Sequence, residues 1–596
     1  MLKMTMSTTF VPGTNLKGEV AGANWTYLLP SLETERIVCI GIPQSAALLT
    51  LARLAQSVVV LCSGRAQAQK AEEKAAGKQN LANVRFVVDE KTSWQSLPEN
   101  SVDLVWLVNW RSIWHLGRRD EKRLALQRLL KSDGLLYLEW NGIARRLFGD
   151  HIMAELERVF GARQTLWLTP TLGRMETAVP IDDKKTTRHF LRHNLYGLSR
   201  VQALDRSLKS RSISRLERAL MRHRALGPLV RRFGALIGQT DTGSSGPPPQ
   251  YLQHVAQESG VSLRDYRWGL SARGKYSSRK VLFFLFEGES EAPRYIVKMT
   301  RASNFNARLE NEYRALALLQ EKGVGDAATL PRPVFIGHHA GLAIVGETIV
   351  EGAPFRKRTK ATADCPYGVA AANWLTELGA TTADPTLATP AEAAARLRQL
   401  FADFVNIYHL TPAQHAFLER HINTIANSEA PFPLVFQHGD PGTWNIMVTP
   451  NDQVAFLDWE AAEPKGMPLW DLFYFLRSYC TWAARLQGTR DTLAAFTRQF
   501  LAESSLTPFL IESTRRYCER VQLAEHLVEP LFYTCWMHRA LKEATRLAPD
   551  KLQQGHYFNL LQVSMEKRNE SIFQNLFSSR EPHRSMRVPA NGKTVL

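Results

Sequence analysis

Apolar and polar positions along the chain fall into two regimes. In the first, RIVCIG (36–41), SVVVLCS (57–63), VRFVVDE (84–90), VDLVWLVN (102–109) and GLLYLEWN (134–141) are short, nearly continuous apolar runs that read as strands. SAALLTLARLA lies between the first two and AQAQKAEEKAAG follows the second; both read as helices. Strands apolar on both faces, joined by crossover helices, predict a parallel α/β sheet.

The second regime starts near residue 250 and mixes hairpins with longer helices. SSRKVLFFLFEGES and YIVKMT (295–300) read as strands. RLENEYRALALLQ (308–320) is amphipathic, with apolar residues at 309, 313, 316, 318 and 319. GLAIVGETIVEGAPF (341–355) reads as a strand entering a hinge. PLVF (433–436) is a short buried-strand pattern, and NIMV (445–448) and VAFLDW (454–459) form a hairpin about a Thr-Pro-Asn-Asp-Gln turn.

Length and charge sharpen this division. A chain of 596 residues exceeds one ordinary core, so two or three domains are expected. The net charge is +17, and residues 184–232 alone hold fourteen Lys or Arg against two acids, a local net of +12. QTDTGSSGPPPQ (239–250) reads as a linker. The six cysteines are scattered without a C-x-x-C, as thiols of a reducing compartment would be. The N-terminus lacks a sustained apolar core, and no run reaches the roughly eighteen residues that a membrane span needs. A cytoplasmic protein, or one peripheral to the inner face of a membrane, is expected.

The chemistry concentrates in FQHGDPGTWNIMVTPNDQVAFLDWE (436–460). Asp440 and Asn445 are five apart, the spacing of a kinase catalytic loop, in which the Asp takes the acceptor's proton and the Asn holds magnesium. Asp458 ends the next apolar run, where a second metal carboxylate belongs. The hairpin brings Asn445 and Asp458 together. Phosphoryl transfer is largely an electrostatic problem, which is why carboxylates that hold Mg²⁺ and orient a hydroxyl suit it.

These residues resemble the aminoglycoside phosphotransferase and choline kinase family. His438, Gly439, Asp440 and Asn445 match its HGDxxxxN loop, and Asp458, Trp459 and Glu460 match its D-[FWL]-[ED] motif. PLWDLFYFL (468–476) is similar to the segment that usually follows. The resemblance implies an ATP-dependent kinase with a protein-kinase-like, two-lobed α+β fold. It implies Asp440 as base, Asn445 and Asp458 as Mg²⁺ ligands, and Lys298 on the α- and β-phosphates. Glu312, rather than Glu310, would steady Lys298, and adenine would meet the backbone from Glu347 to Ile349. GLSARGKY (269–276) misses a P-loop at Tyr276 and precedes a strand. It reads as a loop over the triphosphate, to which Arg273, Lys275 and Ser277 contribute.

The first regime resembles class I S-adenosylmethionine methyltransferases, chiefly in RLALQRLLKSDGLLYLEW (123–140) and the two strand patterns before it. Its cofactor motifs depart from that family. GIPQS (41–45) has one Gly and a Pro where G-x-G is usual, and the second strand ends in Cys62, Ser63 and Gly64 rather than an acid. Asp89 is the one carboxylate placed near an adenine position. A degenerate Rossmann-like domain is expected, with S-adenosylmethionine binding in doubt.

The expected layout is a methyltransferase-like domain over 1–180, a basic helical connector and linker over 181–249, kinase lobes over 250–350 and 351–580, and a tail over 581–596. In the connector, residues 184–236 read by default as a solvated helical connector; among functional readings an anionic membrane surface is preferred, with GPLVRRFGALIG (227–238) at headgroup depth. Nucleic-acid motifs are absent. The acceptor is a hydroxyl of a small molecule or glycan, with a surface-polysaccharide pathway favoured by analogy. A bifunctional methyltransferase-kinase and a nucleotide-binding scaffold without turnover stay open as alternatives.

Overall fold

The apolar runs of the first regime are strands, with ends shifted by a few residues. In the computed structural model, which describes residues 23–76, 79–170, 175–190, 231–239, 246–273, 280–570 and 575–577, they are β1 (Thr34–Ile40), β2 (Ala55–Cys62), β3 (Val84–Val88), β4 (Val102–Leu107) and β5 (Leu130–Asn141). All neighbours among them pair in parallel, in the order β3-β2-β1-β4-β5. That is the order of a doubly wound sheet.

The sheet then continues antiparallel through β6 (Ala162–Thr169), β7 (Thr177–Pro180) and β8 (Arg232–Gly238). β8 corrects the connector reading. It lies between β5 and β6, pairs with both, and is buried along nearly its whole length. A strand with both edges paired and its side chains in a protein core has no surface for lipid headgroups. Basic residues flanking the segment also have acidic partners: Arg232 pairs with Glu139, Lys185 with Glu289 at 2.5 Å and Arg188 with Glu291 at 2.6 Å. Residues 191–230, the body of the basic segment, lie outside the described residues. Among the described residues, no helix is long and apolar enough to cross a membrane.

The hairpin strands of the second regime extend the same sheet. β9 (Tyr266–Ser271), β10 (Lys280–Glu287), β11 (Tyr295–Thr300), β12 (Pro333–His339) and β13 (Leu342–Thr348) complete thirteen strands in the order β12-β13-β11-β10-β9-β7-β6-β8-β5-β4-β1-β2-β3. The described junction is short: Thr177 pairs opposite Ser271 and Ala178 opposite Leu270 between β7 and β9, and the Ala272 N–H donates to the Glu176 carbonyl at 2.7 Å. Asp183 reinforces it by accepting from Arg267 at 2.9 Å, and Phe190 packs over Gly269, where a Cβ would come within 2.3 Å of its ring. One apolar layer runs beneath the whole sheet, from Trp106 and Tyr137 through Leu168 to Trp268, Phe283 and Phe335.

By their contacts the residues form two compact units, 1–310 with 333–349 and 311–332 with 350–596. The helix Asn306–Glu321 starts in the first and continues into the second. The second unit is largely helical, built on Pro366–Thr382, Pro390–Val405, Pro412–Ala426, Trp470–Leu486, Thr507–Val521, Val528–Ala544 and His556–Glu566. Two of these begin with a full capping box, Thr389 with Glu392 and Thr411 with Gln414, each followed by Pro at the first helical position. Short strands β14 (Ala353–Pro354), β15 (Val435–Gln437), β16 (Ile446–Val448), β17 (Val454–Phe456) and β18 (Glu463–Gly466) lie among the helices.

The helical core makes the second unit acid-sensitive. His421 packs between Phe417 and Tyr533, and burial pushes its imidazole down to about 4, with Arg420 adding to the effect. A histidine depressed by folding binds its proton more readily in the unfolded chain. Its stabilisation is therefore present above the ordinary histidine value and is lost as pH falls toward 4. Lowering pH from about 7 to 5 should cost about 2 kcal/mol through this one group. Urea melts of the full chain at both pH values should show at least that loss, since burial also holds His538 and His556 below the ordinary histidine range, and His421→Phe should reduce it by about 2 kcal/mol. An unchanged pH dependence in that variant would exclude His421 as the cause.

Candidate active site

The catalytic-loop motif sits on a scaffold that explains each of its residues. The loop leaves β15 and turns sharply at Gly439, whose φ is +78°. A Cβ there would lie 2.0 Å from the Ala461 carbonyl oxygen, so only glycine fits. His438 is fully buried against Trp459, with ring centroids 4.3 Å apart. Its Nε2 donates to the Leu457 carbonyl at 3.0 Å and its Nδ1 accepts the Asp440 N–H at 3.2 Å, which corresponds to the neutral Nε2–H tautomer. His438 therefore orders the loop from below.

Asp471, at the start of the helix Trp470–Leu486, holds the same turn. Its carboxylate accepts from the backbone N–H groups of His438 and Gly439, the latter at 3.1 Å. Burial raises this carboxyl above the ordinary range, opposed by Arg539 and the two N–H donors. From the other side Arg539, on the helix Val528–Ala544, donates to the Gly439 carbonyl at 2.7 Å. Its second terminal nitrogen lies 3.7 Å from Oδ1 of Asp440, and its guanidinium covers the Tyr474 ring 3.3 Å from the centroid.

Asp440 itself is partly exposed. The Asn445 amide nitrogen donates to its carbonyl at 2.9 Å and to Oδ2 at 3.3 Å. That use of the nitrogen directs the amide oxygen of Asn445 to other work. The β16–β17 hairpin then bonds the Leu457 N–H to the Asn445 carbonyl at 2.8 Å, which sets Asp458 directly beside it in the chain. Asp458 is left-handed, with φ of 69°. The conformation costs a non-glycine residue about 1–3 kcal/mol and persists only where neighbours impose it. Here Trp459 imposes it, through its N–H to Oε1 of Glu312 at 3.1 Å and its indole N–H to the Phe456 carbonyl at 3.0 Å. One amide oxygen and one carboxylate are the hard oxygen donors that Mg²⁺ takes alongside nucleotide phosphates, so the donor set fits that ion.

In the first unit, Lys298 lies on β11 with little exposure and forms an ion pair with Glu347 of β13. Glu347 thus meets Lys298 through its side chain, whereas the sequence reading used only its backbone. The Ile349 N–H donates to the Arg294 carbonyl at 3.2 Å, which extends the ladder by one bond and engages the amide expected to face adenine. Glu310 pairs with His338 at 3.0 Å, while Glu312 is fully buried. Arg273 lies 3.4 Å from Glu176. Ser277, with Lys275 and Tyr276, lies outside the described residues.

Asp471, Arg539 and Trp444 carry no role in the sequence reading. Asp471 and Arg539 had a signal: each is a charge inside an otherwise apolar helix, PLWDLFYFL and TCWMHRAL, where a charge requires a partner.

At the carboxyl end of the parallel strands, Gly41 has φ of +101° and a Cβ there would meet Asn109 at 2.9 Å. The Ser63 N–H and hydroxyl both donate to the Gln67 side chain, at 3.0 and 2.7 Å. Asp89 is bound to Lys122 at 2.6 Å and to the Trp94 indole at 2.8 Å. A cofactor whose ribose hydroxyls need a carboxylate at the end of β2 does not find one there.

Residues 273–503 match the model of the phosphotransferase enzyme family, and residues 38–138 match that of a methyltransferase domain. The chain is thus an enzyme of the kinase class, carrying a phosphotransferase-family domain behind a methyltransferase-type domain. Among solved structures it is similar to the bifunctional kinase-methyltransferase WbdD, at 14% identity over 82% of this chain and 84% of that one, with a TM-score of 0.23. It is also similar to the aminoglycoside phosphotransferase APH(3'')-Id of Streptomyces rimosus in complex with ADP and streptomycin, at 18% identity over 47% and 97%, with a TM-score of 0.28. Spermidine synthase from Thermotoga maritima aligns at 13% identity over 24% of this chain, with a TM-score of 0.21, and the chain spans half of that protein's length. No curated protein sequence matches significantly.

Proposed function

We propose that the protein transfers the γ-phosphoryl group of ATP to a hydroxyl of a small molecule or glycan, in surface-polysaccharide metabolism. The observation that carries the reading is the catalytic loop: Asp440, bonded to Asn445 at 3.3 Å and held by Asp471 and Arg539 through the backbone of the preceding residues. Asp440 orients the acceptor hydroxyl and takes its proton. The acceptor oxygen then bonds to the γ-phosphorus as the bond to the bridging β,γ-oxygen breaks, and ADP leaves. Asn445 and Asp458 would hold Mg²⁺, which neutralises charge on the phosphates. Lys298 binds the α- and β-phosphates with Glu347 as its acidic partner, and Arg273 and Ser277 support the phosphate loop. The test is phosphate transfer from labelled ATP by the full chain to hydroxylated metabolites and glycans. ADP formation that stays independent of every acceptor would count against the reading.

We infer further that the first domain does not use S-adenosylmethionine. The support is chemical: Asp89 is already paired, the end of β2 has no acid, and Pro43 stands in the turn after β1. In equilibrium dialysis the full chain should retain no S-adenosylmethionine at micromolar concentrations. Micromolar binding would restore the bifunctional alternative.

A further inference from the structure

We propose that the acceptor is a sugar ring without positive charge, seated on Trp444. The proposal rests on the kinase reading above and names the substrate class of that site.

Trp444 lies in the catalytic loop, four residues after Asp440 and one before Asn445. It is 47% exposed, and among the described residues it is the one aromatic side chain of the exposed large hydrophobics. An indole left in water beside a reacting group offers a flat apolar surface, which packs well on the C–H face of a sugar. Its position is built rather than incidental. A Cβ at Gly442 would lie 2.3 Å from the indole, so the loop carries glycine where the ring folds back. Tyr474 meets the indole edge-on, with centroids 6.1 Å apart. Thr443, buried beneath, bonds Ser478 through its N–H at 3.0 Å.

The charges around this platform select against a cation. Arg356 lies 5.3 Å from the Trp444 ring centroid and 5.0 Å from that of Trp482, and its Nε donates to the Thr443 hydroxyl at 2.9 Å. At the other end stands Arg539, buried, with a terminal nitrogen that has no hydrogen-bond partner and lies 3.7 Å from Asp440. The run Arg356–Trp444–Tyr474–Arg539 therefore leads to the base with a guanidinium at each end. The cation–π position on Trp444 is already taken by Arg356. Of the nearby carboxylates, Asp471 is engaged by the His438 and Gly439 N–H groups and Glu543 by that of Tyr557 at 2.9 Å, while Asp440, the base, has Asn445 at 3.3 Å and Arg539 at 3.7 Å. An ammonium acceptor would face like charge, whereas hydroxyl, phosphate or carboxylate oxygens would accept from the guanidinium groups.

The experiment measures Mg-ATP turnover by the full chain with methyl hexosides, N-acetylglucosamine and glucose 1-phosphate against glucosamine, streptomycin and choline. The uncharged and anionic sugars should accelerate ADP release more than the cations, with N-acetylglucosamine ahead of glucosamine. Trp444→Ala and Arg356→Gln should each raise KM for the preferred sugar at least about tenfold, with a smaller change in kcat, and Arg356→Lys should recover part of the loss. Preference for a cationic acceptor, no acceleration by any of the sugars, or an unchanged KM in both variants would overturn the proposal. Calorimetry of Mg-ATP binding separates the two levels. If the nucleotide binds and a cation is the better acceptor, only the substrate class is wrong; if the nucleotide does not bind, the kinase reading itself fails.

Discussion

Asp440→Asn should lower kcat by about 10²- to 10⁴-fold, the usual contribution of a general base. The variant keeps the size of the side chain, and the loop around it keeps its supports: the Asp471 carboxylate on the His438 and Gly439 N–H groups, and Arg539 on the Gly439 carbonyl. Only the capacity to accept the acceptor's proton is lost. Mg-ATP affinity should therefore change little, and the thermal transition should stay close to that of the unmodified chain. The measurement is the initial rate of phosphate transfer at saturating ATP. A wild-type rate in Asp440→Asn would remove this residue from the chemistry.

Asp458→Ala should reduce Mg²⁺-dependent nucleotide affinity by at least about tenfold and bring turnover close to background. On the proposed role, loss of the ligating carboxylate should be no smaller than the roughly 10–100-fold losses typical of outer-shell partners. The left-handed backbone is held by Trp459 and its bonds to Glu312 and Phe456, not by the Asp458 side chain, so the fold around it should persist. Lys298→Ala should weaken nucleotide binding less, because it removes phosphate contacts and leaves the metal ligands in place. Calorimetry with and without Mg²⁺ is the check. Unchanged affinity in both variants would contradict the assigned roles.

How much of this the sequence showed depended on how local each signal was. β1 to β5 were readable because each is an apolar run bounded by polar helix segments. β8 was not: RFGALIG is short, follows a dense run of arginines, and as an apolar stretch beside basic residues it carries no mark separating a sheet strand from an interfacial segment. Its partners, β5 and β6, begin roughly 70 to 100 residues earlier in the chain. The Asp440–Asn445–Asp458 spacing was legible because one loop and one hairpin fix it. The ion pair of Lys298 with Glu347 is diagonal, between strands about 50 residues apart on which Lys298 faces Val345 and Glu347 faces Ile296, a register that spacing does not encode. Asp471 and Arg539 were visible only as charges in apolar helices, and what they hold is backbone, which leaves no trace in side-chain motifs.

The short seam between β7 and β9 has a consequence for anyone dividing the gene. The stretch 239–250 invites a cut by its composition, although Gly246 and Pro248 in it are buried and accept hydrogen bonds from Trp268 and Gln253. A fragment starting there would keep β9 but lose β7, and with it the hydrogen-bonding edge that meets Ser271 and Leu270. The exposed edge would carry Trp268 and Leu270, both wholly buried in the intact chain. A bare, apolar edge strand recruits other chains. Such a fragment should be insoluble or self-associating, because the N-terminal strands cover the edge that β9 would otherwise expose.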